Sequence, residues 1–259
     1  MFTSKLSTNE KIKLSGFNNL TKVLSFNLYD FCITLNEDQK TQYVNYINDK
    51  YNATRIGEIS RKIVEIIEAN ILAVSVQDYD PVGASTMVLM SDIKGGGEAI
   101  PSVQVNHHLD KSHITAHTYP DAADPDGICS FRVDIDIATC GEIIPLNAIN
   151  YLFEAFECDV VYVDYVVRGY TRLASGKKIY NDHHFNSIQD FIKPEIKQGF
   201  QYLADINMPQ DNIWQTKLMV KDQSAEKYLL NPADIHHPDV AHKMELLREE
   251  MKEVYHMIH

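Results

Sequence analysis

The stretch Phe131-Arg132-Val133-Asp134-Ile135-Asp136-Ile137 alternates strictly between apolar and charged residues. Successive side chains of a β-strand point to opposite faces of the sheet. The apolar residues of this stretch therefore share one face, and Arg132, Asp134 and Asp136 share the other. The pattern predicts a half-buried strand.

Similar reasoning extends the sheet on both sides of this strand. Further strands are predicted at Leu20–Phe31, Ile71–Val76, Thr86–Met90, His113–Tyr119 and Val160–Val167. Turns are expected at residues 80–83 and at Arg168-Gly169, because glycine and proline interrupt regular structure. Several of these strands follow one another through short connections, which is typical of an antiparallel sheet.

Helical spacing of apolar residues occurs in separate segments. One helix is expected after an N-cap at Asn36, a second along the Ile56–Ile67 stripe, and a third from Pro145 to Phe156. Ser187 is expected to cap a helix that runs to Pro194 and resumes beyond it, and the last helix opens near Pro238 with a stripe ending at Ile258. Because helices and strands do not alternate regularly, the predicted fold class is α+β, with an antiparallel β-sheet and helices packed on one face as a single domain, residues 1–259.

Composition excludes several classes of function. The chain has 259 residues, 44% of them apolar, and a net charge of −12, which argues against a nucleic-acid-binding protein. It contains no apolar run long enough to span a membrane, and residues 1–13 lack the apolar core of a signal peptide. The four cysteines form no C-x-x-C pair. We therefore expect a cytoplasmic protein with reduced thiols.

Two short segments carry reactive side chains. Leu109–Pro120 contains a hydroxyl nucleophile, Ser112, and two histidines, His113 and His117. Cys140 lies three residues after the predicted strand Phe131–Ile137. These residue types are also common on solvated strands or in cores, so neither segment alone decides between catalysis and structure.

Other candidate motifs are not supported by the sequence. Gly95-Gly96-Gly97 lacks the rest of a phosphate loop and is interpreted as part of a flexible connection. The adjacent histidine pairs lack the i, i+4 spacing of a helical metal site and are interpreted as surface or turn residues. They are His107-His108, His183-His184 and His236-His237. We predict no dedicated metal site.

Most of the chain, from Lys13 to about Tyr255, resembles the prokaryotic S-adenosylmethionine decarboxylase proenzymes, in particular the longer class typical of proteobacteria. Many ordered motifs carry the resemblance, which makes it more specific than any single one. They are Gly16-Phe17-Asn18-Asn19-Leu20-Thr21-Lys22, Gln77-Asp78-Tyr79, Gly83-Ala84-Ser85, His108-Leu109-Asp110-Lys111-Ser112-His113, His117-Thr118-Tyr119-Pro120, Phe131-Arg132, Thr139-Cys140-Gly141, Arg168-Gly169 and Asn186-Ser187-Ile188-Gln189.

The resemblance implies a precursor that cleaves itself between Lys111 and Ser112, into a β chain 1–111 and an α chain 112–259. In this family the serine hydroxyl attacks the preceding carbonyl to form an ester. His117 matches the processing base that takes the α-proton of Ser112. β-Elimination and hydrolysis then leave a pyruvoyl group at Ser112, with release of ammonia. Because Ser112 and His117 are five residues apart, a regular strand would point them to opposite faces, so we expect a bend or strained turn at Lys111–Ser112.

The resemblance also implies how the enzyme turns over. The pyruvoyl carbonyl forms a Schiff base with the amino group of S-adenosylmethionine and accepts electrons on decarboxylation. Cys140 matches the proton donor, and a cysteine thiol is mainly protonated at neutral pH. The product would be the aminopropyl donor for spermidine. The other three cysteines, Cys32, Cys129 and Cys158, are interpreted as packing residues.

The sequence also offers candidates for substrate-binding residues and for the assembly of the protein. Phe17 is a candidate substrate-binding residue, since adenine and sulfonium groups favour aromatic faces, although a core role is equally open. Arg132, Asp134 and Asp136 either hold substrate or are simply solvated. The resemblance implies a homo-oligomer of αβ units, arranged as αββα across a dimer, with Mg²⁺ as an activator in some members.

Two other functions stay open at the level of sequence. The same pyruvoyl chemistry could act on ornithine or arginine, because a shared site does not fix the substrate. An unprocessed pseudoenzyme that binds and regulates a partner is the alternative from another class, although Ser112, His117 and Cys140 argue against it.

Overall fold

The computed structural model describes residues 11–14, 17–92 and 111–257. The strands in these residues form one antiparallel sheet in the order β2-β3-β4-β5-β1-β6-β9-β8, with the short β7 paired to β6. The predicted Gly-rich connection lies outside them. The strands are β1 (Phe17–Ile33), β2 (Ala69–Asp78), β3 (Ala84–Asp92), β4 (Lys111–Asp121), β5 (Ile128–Cys140), β6 (Val160–Arg172), β7 (Lys178–Ile179), β8 (Phe200–Met208) and β9 (Ile213–Val220).

The α-helices lie between the strands and after them. They are α1 (Glu37–Lys50), α2 (Ala53–Ile66), α3 (Ile149–Ala155), α4 (Pro194–Gln198), α5 (Ala225–Tyr228) and α6 (Val240–His256). Asn36 caps α1 as predicted, because its side chain accepts a hydrogen bond from the main-chain N–H of Gln39. The Pro145 segment opens with a 3₁₀ turn before α3. The mixed α+β fold class is confirmed.

The main core lies between one face of the sheet and helices α1 to α3. The alternation seen in the sequence decides which side chains enter this core: Phe131, Val133, Ile135 and Ile137 of β5 are all buried. The central strand β1 contributes Leu20, Leu24, Phe26 and Leu28 to the same face. We call this the helix-covered face, and the other side of the sheet the open face.

The last helix, α6, modifies the predicted arrangement. Its stripe packs with Phe31 and Ile33 of β1 and with Tyr162 of β6, which point away from the main core. Helices therefore do not all lie on one face: α6 covers one end of the opposite face. The hydrophobic stripe of α6 is readable from the sequence, but the face of the sheet that it covers is not.

Three local predictions need correction. β6 continues through the turn expected at Arg168-Gly169, because Gly169 adopts a φ of +95° inside the strand. A Cβ at this position would lie 1.9 Å from the carbonyl oxygen of Asn19 on β1, so only glycine fits there. The helix expected after Ser187 is a 3₁₀ turn at Ile188–Asp190, separated from the short α4. Strands β8 and β9 were not predicted.

Candidate active site

Ser112 lies near the start of β4 with its side chain buried. It is 1% exposed and shares the helix-covered face with Ile114 and Ala116. Its hydroxyl oxygen accepts a hydrogen bond from the main-chain N–H of Cys140, with a nitrogen–oxygen distance of 3.0 Å. The structure therefore brings together Ser112 and the backbone of Cys140, which are separated by 28 positions in the sequence.

The bend expected at Lys111–Ser112 is wrong. Both residues pair in the regular ladder with β3, Lys111 opposite Ser91 and Ser112 opposite Met90. Regular pairing fixes the backbone in the extended conformation and leaves no local turn at the proposed cleavage point. The side chain of Lys111 lies outside the described part of the chain.

His117 lies on the other face of β4. It is paired with Asp134 of β5 and stacks on Tyr119, with ring centroids 6.3 Å apart. Five residues of regular strand span about 17 Å, and an odd separation reverses the face. Within one chain, the structure does not bring His117 to Ser112.

Cys140 is the last residue of β5 and is half-buried. Thr139 before it is fully buried, so by alternation the thiol of Cys140 lies on the open face, together with Asp136. Gly141 then turns the chain with a φ of +63°. Cys140 thus presents its backbone to Ser112 and its thiol to the open face.

Lys22 lies next to the turn that follows Cys140, and its type and spacing alone did not single it out as a functional residue. Its side chain is 0% exposed, and its ammonium nitrogen donates a hydrogen bond of 2.5 Å to the carbonyl oxygen of Gly141. Lys22 is paired with Thr139 across β1 and β5. The signal was available: Leu20, Leu24 and Phe26 form an apolar stripe of alternate positions, and Lys22 is the charged residue within it.

The polar side chains of β5 interact with one another and with neighbouring strands on the open face. Arg132 forms a 3.0 Å ion pair with Asp134 and covers the ring of Tyr119 at 4.1 Å. Asp136 accepts a 2.5 Å hydrogen bond from the hydroxyl of Ser25. Burial raises the pKa of Asp134, although Arg132 opposes that shift. These side chains therefore pair with neighbouring residues, while Asp136 is also exposed to solvent.

The other expected site residues divide into two groups. The thiols of Cys32, Cys129 and Cys158 all have their pKa raised by burial, which keeps them protonated and agrees with a packing role. Phe17 belongs to β1, but its side chain lies outside the described residues, so its substrate contact stays a prediction.

The surface interpretation of the histidine pairs is wrong for His183. Its side chain is 3% exposed and lies in an aromatic cluster with Tyr165, Phe185 and Trp214. Its Nε2 atom is 3.0 Å from the hydroxyl of Tyr165. Burial lowers the pKa of His183 to about 3, so the imidazole is neutral. His107-His108 lies outside the described residues.

In residues 11–14, 17–92 and 111–257, no group of three or more histidine, cysteine, aspartate or glutamate side chains is arranged to hold a metal ion. No helix in the same ranges is long and apolar enough to cross a membrane.

A family model and two similar proteins from other bacteria carry the same description, S-adenosylmethionine decarboxylase. Residues 45–169 match the family model described as S-adenosylmethionine decarboxylase. The chain is 46% identical over 253 residues to an S-adenosylmethionine decarboxylase proenzyme of Stenotrophomonas maltophilia (strain R551-3), covering 95% of this chain and 96% of that protein. A proenzyme of the same name from Xylella fastidiosa (strain M12) is 48% identical over 224 residues, covering 85% and 84%.

A solved structure also matches. The adenosylmethionine decarboxylase from Aquifex aeolicus aligns with a TM-score of 0.36 and 16% identity, over 62% of this chain and 98% of that one. The identities to the two proenzymes, by contrast, extend over most of the chain. The chain belongs to the S-adenosylmethionine decarboxylase family.

Proposed function

We propose that this protein is a precursor that cuts itself between Lys111 and Ser112 and then decarboxylates S-adenosylmethionine. The two products, residues 1–111 and 112–259, would remain parts of one folded domain. The observation that carries the proposal is the hydrogen bond between the Ser112 hydroxyl and the Cys140 N–H. It joins the hydroxyl that would attack to the residue that would deliver the proton.

The surroundings of Ser112 suit self-cleavage. A hydroxyl that is buried and held by one main-chain donor occupies a restricted set of positions, which lowers the entropic barrier to intramolecular attack. In the proposed step, a bond forms between the Ser112 oxygen and the Lys111 carbonyl carbon. The carbon–nitrogen bond breaks, and the hydroxyl proton ends on the released amine.

A pyruvoyl group made from Ser112 fits the residues around it. The group of Cys140 that contacts Ser112 is an N–H donor, which can hold a carbonyl oxygen as well as a hydroxyl. The pyruvoyl group would supply the electron-accepting carbonyl for loss of carbon dioxide. In the part of the chain that the structure describes, no cluster of side chains is arranged to bind Mg²⁺, so the proposed mechanism contains no Mg²⁺-dependent step.

Cys140 would then act as the general acid. Its thiol lies on the open face, which Asp134 and Asp136 of β5 share, whereas the Ser112 side chain lies on the helix-covered face. The cleaved terminus at Ser112 would therefore have to turn toward the open face to meet the thiol. Carboxylates such as Asp136 on the same face suit a cationic sulfonium substrate. A thiol donor must stay reduced, which favours action in the cytoplasm. All four cysteines are free in the structure.

His117 constrains the mechanism. It must take the α-proton of Ser112, yet the two residues lie on opposite faces of β4 within one chain. The assignment therefore requires either a rearrangement of β4 or a His117 supplied by a second copy. Co-expressing the His117→Ala and Ser112→Ala chains distinguishes these cases, because only a His117 acting between chains restores cleavage of the His117→Ala chain.

A second copy would bind through the open face. This face exposes large apolar side chains, among them Met87 at 55% and Tyr119 at 44%. Outside the end that α6 covers, exposed apolar residues on a sheet face are typical of a protein interface. Pairing two αβ units there gives the αββα arrangement implied by the resemblance.

The test is release of carbon dioxide from carboxyl-labelled S-adenosylmethionine, ornithine and arginine by the purified, cleaved protein. We expect turnover of S-adenosylmethionine, and none above background with the Ser112→Ala chain. Equal or better turnover of ornithine or arginine would overturn the substrate assignment. A protein that binds S-adenosylmethionine without cleavage or turnover would be the regulatory pseudoenzyme.

A further inference from the structure

We propose that Lys22 is a positioning residue for this reaction, one that fixes the turn after Cys140 and so directs both groups that Cys140 contributes. This inference rests on the proposed function. Lys22 does not have to touch the substrate for this role. It acts through the backbone of residues 140 and 141.

Two hydrogen bonds hold this turn from opposite sides. Lys22 donates to the carbonyl oxygen of Gly141 at 2.5 Å, and the N–H of Cys140 donates to the Ser112 hydroxyl at 3.0 Å. The pairing of Lys22 with Thr139 places β1 directly beside this end of β5. A continuous chain of contacts therefore runs from the ammonium group through the turn to the reacting hydroxyl.

The turn at Gly141 has an unusual backbone conformation, which the hydrogen bond from Lys22 stabilises. Gly141 adopts a φ of +63°, in the left-handed region that is ordinarily unfavourable for other residues. A charge-assisted hydrogen bond is stronger than a neutral one, and more so in a buried environment. The bond from Lys22 therefore limits motion of the turn, and with it the direction of the Cys140 N–H and thiol.

The burial of Lys22 supports a role beyond packing. An ammonium group is unfavourable in a protein interior unless it is well paired, and an apolar residue would match its neighbours Leu20 and Leu24. Burial is the main reason that the pKa of His183 in the aromatic cluster is lowered, and the positive charge of Lys22 lowers it further. The protein thus retains a buried cation beside the turn that carries the proposed proton donor.

The inference predicts a defect in two separate steps. A loose turn would misdirect the N–H that holds Ser112, which slows self-cleavage. It would also misdirect the Cys140 thiol, which lowers turnover and allows more protonation at the wrong carbon. Substrate affinity should change little, because Lys22 does not reach the open face.

The experiment compares Lys22→Met with a matched control, Lys227→Met. Methionine is of similar length and lacks the donor. Lys227 also hydrogen-bonds a buried acceptor, Asp159. Asp159 in turn accepts from the N–H of Phe31, nine residues further along β1 and about 30 Å from Lys22. Both variants lose a lysine donor from a part-buried hydrogen bond; Lys227 is 31% exposed, and only Lys22 lies near Ser112.

Cleavage is followed on gels during cell-free synthesis of the full chain, and kcat, KM and the terminal mass of the α chain are measured on the cleaved fraction. We expect Lys22→Met to cleave at least tenfold more slowly than wild type. Its cleaved fraction should show a lower kcat, a KM within twofold, and more α chain ending in alanine after turnover. Lys227→Met should be less stable but otherwise like wild type.

The inference is overturned if folded Lys22→Met cleaves and turns over at wild-type rates. If that variant does not fold, Gly141→Ala perturbs the same turn from the other side, because alanine disfavours a positive φ. It should also slow cleavage, and wild-type cleavage by it would count against the inference. Failure of the wild-type protein to cleave or decarboxylate would instead refute the proposed function.

Discussion

Cys140→Ala separates the two contributions of one residue. The hydrogen bond to Ser112 comes from the main-chain N–H, which alanine keeps. Self-cleavage should therefore stay within about threefold of wild type, since orientation of the hydroxyl is unchanged. The thiol on the open face is lost, so decarboxylation loses its proposed general acid.

The expected magnitudes follow from these two environments. Cys140 is half-buried, and loss of one sulfur atom there should lower the free energy of unfolding by about 1 kcal/mol or less. Loss of a positioned general acid slows a reaction by roughly 100-fold or more, which corresponds to about 2.7 kcal/mol in the barrier. Misdirected protonation should also leave α chains that end in alanine, so the variant should inactivate during turnover.

The assay combines gel analysis of cleavage, carbon dioxide release and the terminal mass of the α chain before and after substrate. Cys129→Ala is the matched control, because it makes the same change at a fully buried thiol on the helix-covered face. It should lose stability but keep its turnover number. A folded, cleaved and fully active Cys140→Ala would reduce Cys140 to a packing residue, and an uncleaved one would refute the separation of backbone from thiol.

His117→Ala should stall before elimination and release two chains on treatment with hydroxylamine; cleavage at the wild-type rate would show that His117 is not the base. Burial raises the pKa of Glu250 to about 7, so its folded form holds a proton more tightly than the unfolded chain, and stability should fall as pH rises from about 4.5 to 7. In a Ser112→Ala background, urea unfolding at pH 5 and pH 8 should show Glu250→Gln reducing that fall by roughly 1–2 kcal/mol after allowance for solvent screening, and an unchanged fall would contradict this. Gly169→Ala should lower the free energy of unfolding by roughly 3 kcal/mol or more, because its Cβ meets the backbone of β1. Gly176→Ala, at a φ of +87° with nothing within 4 Å, should lose only about 1 kcal/mol, and equal losses would refute the steric argument.

The parts of the fold that follow from the sequence are those with a clear local period. β4, β5 and α2 each place apolar residues at the spacing of a strand or a helix, so their buried faces could be predicted. β8 could not, because it is an edge strand with few buried positions and therefore shows no clean alternation. The sequence predicts a turn at Gly169, because the close approach of Gly169 to β1 is a long-range contact that leaves no local pattern.

In the candidate site, too, the residues could be predicted from the sequence, whereas the contacts between distant strands could not. The resemblance predicts Ser112, His117 and Cys140 as site residues, but it does not give the distances between them or the faces of the sheet on which they lie. Regular pairing of β4 placed Ser112 and His117 on opposite faces where a bend had been expected. The contact of Ser112 with the Cys140 backbone and the bond from Lys22 to Gly141 both cross strands that are distant in sequence. Periodicity carries no information about such contacts.

The most direct test of the account is the intact mass of the purified wild-type protein, measured alongside Ser112→Ala. The account predicts two wild-type chains, residues 1–111 and 112–259, with a pyruvoyl group in place of Ser112 at the start of the second. Ser112→Ala should remain one chain, because it lacks the attacking oxygen, and should release no carbon dioxide from S-adenosylmethionine. A wild-type protein that stays intact and still decarboxylates S-adenosylmethionine would contradict the account.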